Sequence, residues 1–243
     1  MKGGKALDRD AREFLHALMA EQRRLAAKAA GFLAGYVLVA TTSYVLIDVY
    51  VPESNAAYAR VGVFDWALGY LVFVAVMHRG GLTAGGLRTG IGTYFVLDLL
   101  IGIPVFLGLL ALFVPGLYLL MRWLPAYSRA LMTHDGVVRA MGWSWERTAP
   151  WQRPLAMAML LPLVPFAVFA LAILADSLVY EHFGWTGYVV LSLVLNAASS
   201  LGSVGLTIYC VAAYKLILDP DAVPGNGSDM GADQPFGTIT PQA

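Results

Sequence analysis

The sequence predicts an all-α, polytopic integral membrane protein: a six-helix bundle with an amphipathic N-terminal helix and an interfacial helix between spans four and five. Three observations lead there. Of the 243 residues, 58% are hydrophobic and 13% charged, where a soluble domain carries about a quarter charged residues. Several apolar runs approach or exceed the ~20 residues that cross a ~30 Å hydrocarbon core as a helix. The short alternating segments of a membrane β-barrel, the other spanning solution, do not occur. Finally, six crossings put fifteen of the sixteen basic residues on one side, leaving only Arg60 opposite, as the positive-inside rule requires of a cytoplasmic face.

The elements follow in order. Residues 1–28 form a cytoplasmic segment. Within it Leu7, Phe14, Leu18 and Leu25 make a stripe filled in by Ala11, while Asp8, Arg9, Arg12, Glu13, Arg23 and Arg24 take other faces. The pattern fits a helix lying on the headgroups or a solvated extension of the first span. The segment mixes both charge signs, unlike a short basic signal region, so the first span, 29–51, is expected as an uncleaved anchor. Pro52-Glu53-Ser54-Asn55 ends it, and the second span follows at 61–77. A basic, Gly-rich turn containing Arg79 and Arg88 leads into the apolar run 91–121. Thirty-one helical residues would measure ~46 Å, too long for one untilted crossing. Pro115-Gly116 is a strong breaker, so the chain is expected to turn there and return through 117–132.

The fifth span is expected at 154–174, kinked by Pro162 and Pro165, and the sixth at 187–216, with an outer loop at 176–184 between them. Spans 29–218 make one membrane domain. Residues 219–243 are rich in Gly, Asp and Pro and read as a disordered cytoplasmic tail. This topology places both termini in the cytoplasm and the protein, multi-pass, in the bacterial cytoplasmic (inner) membrane.

Charges within spans mark candidate sites, because each costs ~2.5–3.5 kcal/mol at the bilayer centre. Asp48, Asp65 and Asp176 fall near span ends, where headgroups can solvate them. Asp98, Arg122 and Arg129 are the candidate intramembrane polar residues. Measured from a turn at Pro115, Asp98 lies ~26 Å and Arg129 ~21 Å deep at 1.5 Å per residue, close enough to pair. Arg122 lies ~10 Å from the same turn without an evident partner. In the sixth span Asn196, Ser199, Ser200, Ser203 and Thr207 share one face with Gly202 and Gly205. Such a face serves close helix packing or a polar conduit. Between spans four and five, Arg139, Trp143, Trp145, Arg147, Trp151 and Arg153 are candidate lipid-headgroup residues, since indoles and guanidinium groups favour the interface.

The balance of sixteen basic and sixteen acidic residues gives no electrostatic footprint for nucleic acid. One cysteine, Cys210, excludes an internal disulfide. His16, His78, His134 and His182 are scattered, without metal-ligand spacing or a catalytic motif. No cofactor is expected, and the chain is not expected to be an enzyme.

At Pro115-Gly116-Leu117-Tyr118-Leu119, followed by Arg122, Gly136, Ala140 and Ser144, the chain resembles the membrane domain associated with glycerophosphoryl diester phosphodiesterases and its stand-alone bacterial relatives of unknown function. The Gly-rich turn ending in Leu87-Arg88 and the run 209–216 share the resemblance. It implies a six-helix membrane domain with no established activity. It does not imply the phosphodiesterase, whose His-Arg-Gly motif His78-Arg79-Gly80 resembles but in a tight turn, with no barrel domain to hold it.

The expected function is a non-enzymatic membrane component that meets lipid or protein partners in envelope homeostasis. A membrane-protein partner or a homo-oligomer is compatible with that reading. The alternative is a transporter or lipid-translocating protein that uses Asp98, Arg122 and Arg129. A water-filled cavity reaching Arg122 would favour the alternative, and a tightly packed bundle the first.

Overall fold

A helix satisfies its own backbone groups, so a chain this apolar is expected to be helical wherever it meets lipid. The computed structural model describes residues 3–83 and 86–218, with side chains for all of these except 3–9 and 175–181. The described residues form α1 (Gly3–Tyr50), α2 (Asn55–Arg79), α3 (Ile91–Ala111), α4 (Phe113–Trp123), α5 (Pro125–Met132), α6 (Val137–Thr148), a 3-10 turn (Ala149–Trp151) and α7 (Gln152–Leu218). Five stretches are long and apolar enough to cross a membrane: Asp10–Tyr50, Asn55–Arg79, Ile91–Ala111, Val137–Leu174 and His182–Leu218. Within their apolar windows only 17–33% of residues are buried. Most of the apolar surface therefore faces outward, which lipid tolerates and water does not. The all-α membrane bundle is observed. The tail at 219–243 and the side chain of Asp176 lie outside the described residues.

The amphipathic N-terminal segment and the first span are one helix, α1, 48 residues long and ~72 Å at 1.5 Å per residue. There is no break at residue 28. The segment therefore continues the first span, as one of the two sequence readings has it, but its stripe of Phe14, Leu18, Leu25 and Ala29 is buried rather than laid on headgroups or water. Phe14 stacks on Trp151, ring centroids 4.3 Å apart, and Glu21 accepts from Lys215 Nζ at 3.2 Å. The protein itself, chiefly α7, covers the stripe.

The hairpin between α3 and α4 turns at Leu112, whose extended backbone separates the two helices. The turn expected at Pro115-Gly116 is therefore three residues early, and Pro115 sits inside the first turn of α4. A proline breaks a helix by lacking an N–H, but first-turn N–H groups have no intrahelical partner to lose. Gly116 serves close approach instead. A Cβ on Gly108 would lie 2.9 Å from the Gly116 Cα, and one on Gly116 would lie 2.5 Å from the Leu109 N. Two backbones in contact leave no room for a side chain.

α4 and α5 run end to end through Leu124, which keeps helical angles, with Pro125 opening α5. α7 folds back on itself at Gly184, where φ is +58°, so a single glycine replaces the outer loop expected at 176–184. The two arms then pack antiparallel. Cβ atoms on Gly202 and Gly205 would come within 2.5 Å of the Phe166 ring and 2.8 Å of Pro162 Cβ. Those glycines serve helix packing, as one of the two sequence readings held. Tyr209, Cys210, Val211, Ala212 and Ala213 are fully buried. The end of the second arm is thus the post around which the bundle assembles.

Candidate functional site: an acidic cavity walled by aromatic rings

A cavity of about 380 Å³ lies between α1, α2, α3, the α4–α5 junction and the second arm of α7. Helical periodicity builds it. On α2, Gly62, Asp65, Trp66, Gly69 and Phe73 follow steps of three, one, three and four, and on α3 Tyr94, Asp98, Ile101, Gly102 and Val105 follow four, three, one and three, so each set forms one inward stripe. Tyr36, Tyr127, Ser203 and Thr207 complete the polar lining, and among the described residues no Lys, Arg or His takes part.

The rings form a connected wall. Tyr94 lies 6.0 Å from Trp66, 5.6 Å from Phe73 and 5.3 Å from Tyr127 between centroids. The Tyr127 hydroxyl donates to Asp98 Oδ1 at 2.6 Å, and Tyr36 stands beside Asp65. Asp65 Oδ1 and the Trp66 indole N–H are buried without a hydrogen-bond partner. Neither Asp65 nor Asp98 has an ion-pair partner among the described residues. Cys210 at the inner wall donates to the Leu124 carbonyl at 2.8 Å, bracing the junction where Pro125 supplies no N–H.

Of the three intramembrane candidates, only Asp98 reaches the cavity. Its expected pairing with Arg129 is replaced by the contact with Tyr127, two residues earlier. Arg129 turns the other way and donates twice to Asp135 Oδ2, from Nε at 3.1 Å and from a terminal nitrogen at 2.5 Å. Its guanidinium also lies 5.2 Å from the Trp143 ring centroid. That hydrogen bond holds the Asp135 carboxyl below its ordinary value.

Arg122 is only 2% exposed, yet it does have partners. Its guanidinium lies 4.2 Å from the Trp145 ring centroid and 5.7 Å from that of Tyr118, and it donates to the Trp145 carbonyl. The Ser144 hydroxyl returns a hydrogen bond to the Arg122 carbonyl at 2.6 Å. Ala140, Ser144 and Thr148 form the buried face of α6, and Gly136 opens that helix at φ +77°. Arg122, Ala140 and Ser144 thus meet at one joint between α4 and α6.

The headgroup candidates divide. Trp143 packs on Tyr214 at 5.5 Å, Trp145 on Arg122, and Trp151 on Phe14, so the indoles fasten α6 and the 3-10 turn after it to the bundle. Arg139, Arg147 and Arg153 are exposed.

A second polar cluster escaped the sequence reading. Asp48 accepts from Tyr58 at 2.6 Å, Ser192 at 2.5 Å and Asn196 at 2.9 Å, while Tyr188 donates to its backbone carbonyl at 3.2 Å. Three donors on one carboxylate make this a closed joint between α1, α2 and α7. The cavity lining at Tyr36, Asp65, Trp66, Tyr94 and Tyr127 was also missed. Its signal lay in the stripes on α2 and α3, which mix rings, glycines and a carboxylate at helical spacing. A scan against protein-family models, a search of the curated proteins and a search of the solved structures find no match to this chain.

Proposed function

We propose that the chain is a non-enzymatic transport or lipid-translocating protein of the bacterial cytoplasmic membrane, which admits its solute to the cavity around Asp65 and Asp98. One observation carries the reading: a cavity of about 380 Å³ inside an apolar bundle, lined by two carboxylates without ion-pair partners among the described residues. A bundle evolved only to pack would gain by filling that volume with aliphatic side chains, and ionisable groups at membrane depth mark solute pathways by default. The cavity does not reach Arg122, as the transport reading from sequence required; the reading rests instead on Asp65 and Asp98, while Arg122 and Arg129, engaged elsewhere, act as fasteners.

The topology behind the proposal has six crossings with both termini in the cytoplasm. The return crossing is α4 with α5, 11 and 8 residues joined through Leu124, which reach ~30 Å at 1.5 Å per residue and fit one hydrocarbon core. Its length as two pieces explains why neither alone is long enough to count as a span.

The test is two-sided access. In a Cys210→Ala background, Gly69→Cys places a thiol in the cavity where its Cβ meets nothing within 4 Å. A membrane-impermeant maleimide applied to right-side-out and to inverted vesicles should label it from both sides if the protein alternates its access. Labelling from one side alone would contradict translocation.

A second reading, contact with anionic lipid headgroups as an envelope component, is favoured by the three exposed arginines Arg139, Arg147 and Arg153. It is compatible with the first, since a lipid-derived solute would meet this face before the bundle.

A further inference from the structure

We propose that the cavity takes an organic cation, with its charge set toward Asp65 and Asp98 and its apolar part against Trp66, Tyr94 and Tyr127. The inference rests on reading the cavity as a solute site and names the chemistry of the solute.

The comparison that carries it lies within the molecule. An ionised carboxylate offers about four lone-pair sites. Asp48 is filled by three donors from Tyr58, Ser192 and Asn196, so it needs nothing from outside. Asp98 receives one hydroxyl, from Tyr127, with the Trp66 indole nearby, and Asp65, beside Tyr36, keeps one oxygen buried with no donor. Both face a cavity whose lining holds no basic side chain among the described residues. Two under-supplied carboxylates in a shared low-dielectric space attract positive charge, and a cleft of one sign concentrates counter-ions by about 10- to 1,000-fold.

The rings specify the kind of cation. Aromatic faces attract a cation through their quadrupole, and clustered faces recognise alkylated ammonium groups. Here four ring contacts at or below 6.0 Å join Trp66, Phe73, Tyr94 and Tyr127, all of which line the same space. A metal ion would ask for a different wall: among the described residues no group of three or more His, Cys, Asp or Glu side chains converges.

The experiment measures charge preference at a cavity thiol in the full chain, reconstituted in lipid nanodiscs. In the Cys210→Ala background, Gly69→Cys reacts with three methanethiosulfonates: the neutral methyl reagent, the cationic trimethylammonioethyl reagent and the anionic sulfonatoethyl reagent. Ala56→Cys, at an exposed position, gives the reference ratio of cationic to anionic rates. At Gly69→Cys that ratio should exceed the reference by about tenfold or more. Asp98→Asn and Asp65→Asn should each bring it most of the way back, and Asp98→Glu should retain it. Benzyltrimethylammonium should slow the neutral reagent, and benzenesulfonate should not. An unchanged neutral rate in the Asn variants verifies that their cavity is intact. If the neutral reagent reacts but the ratio equals the reference, or survives both Asn variants, the cationic inference is overturned while the solute site stands. If the neutral reagent does not react at Gly69→Cys, the solute site itself is overturned and the inference with it.

Discussion

Replacing Trp145 by leucine should destabilise the protein mainly by stripping the ring from beneath Arg122. The guanidinium is 2% exposed and lies 4.2 Å from that ring's centroid. A desolvated cation–π contact contributes about 2 kcal/mol, against ~0.5–1 at an exposed site. The near-complete burial of Arg122 selects the larger figure, even though Trp145 itself is 38% exposed. Arg122→Gln loses the same contact and a charged hydrogen bond to the Trp145 carbonyl worth ~1.5–3 kcal/mol. It also recovers the ~2.5–3.5 kcal/mol that a charge costs within a bilayer. The last two terms cancel in part, so this variant should cost about 1–2 kcal/mol. The double variant should then fall short of the sum of the singles by about 2 kcal/mol, the coupling that a double-mutant cycle isolates. Reversible unfolding in mixed micelles of mild detergent and dodecyl sulfate measures it. A coupling below ~0.5 kcal/mol, the error of additivity for independent sites, would refute the account of Arg122.

Three further predictions use other parts of the fold. Gly108→Val should lower yield and stability by several kcal/mol, at or beyond the 1–3 kcal/mol typical of overpacking, because its Cβ would meet backbone 2.9 Å away; unfolding midpoint and monodispersity report it. Single cysteines at positions 57, 137 and 182, without Cys210, should react with an impermeant maleimide on intact cells at 57 and 182 but not at 137; labelling at 137 would reject a return through α4 and α5. Asp135 should add stability that is full above the ordinary carboxylate range and is lost as pH falls through its depressed value, since Arg129 holds its carboxyl down. The difference between the protein and Asp135→Asn should stay under ~1 kcal/mol for so exposed a pair and vanish in acid; a gap that grows on acidification would contradict the assignment.

The apolar runs were legible because a membrane helix must be uniformly apolar along its length. What one-dimensional reading lacked was rotation about each axis. Depth brought Asp98 level with the right turn of α5, but Arg129 lies two residues from Tyr127. At ~100° per residue, two positions swing a side chain nearly to the opposite face, so Tyr127 meets Asp98 and Arg129 meets Asp135. The turn at Leu112 was missed for a similar reason. Pro115 reads as a breaker from sequence, but its effect depends on whether its N–H would have had a partner, and at the start of α4 it would not. Gly184 was hidden in the other direction: one residue at positive φ does the work for which a loop was expected. The Asp48 joint joins residues 48, 58, 192 and 196, and no local pattern announces a contact across that separation.

If the space between Asp65 and Asp98 is an open solute site, a cryo-electron microscopy map of the full chain in lipid nanodiscs with benzyltrimethylammonium will show it. Non-protein density should lie against the ring face of Trp66 and Tyr94, within contact of the Asp98 carboxylate, and should be lost in Asp98→Asn. A map in which the Tyr36, Trp66 and Tyr127 rings close on one another and leave no space would contradict it.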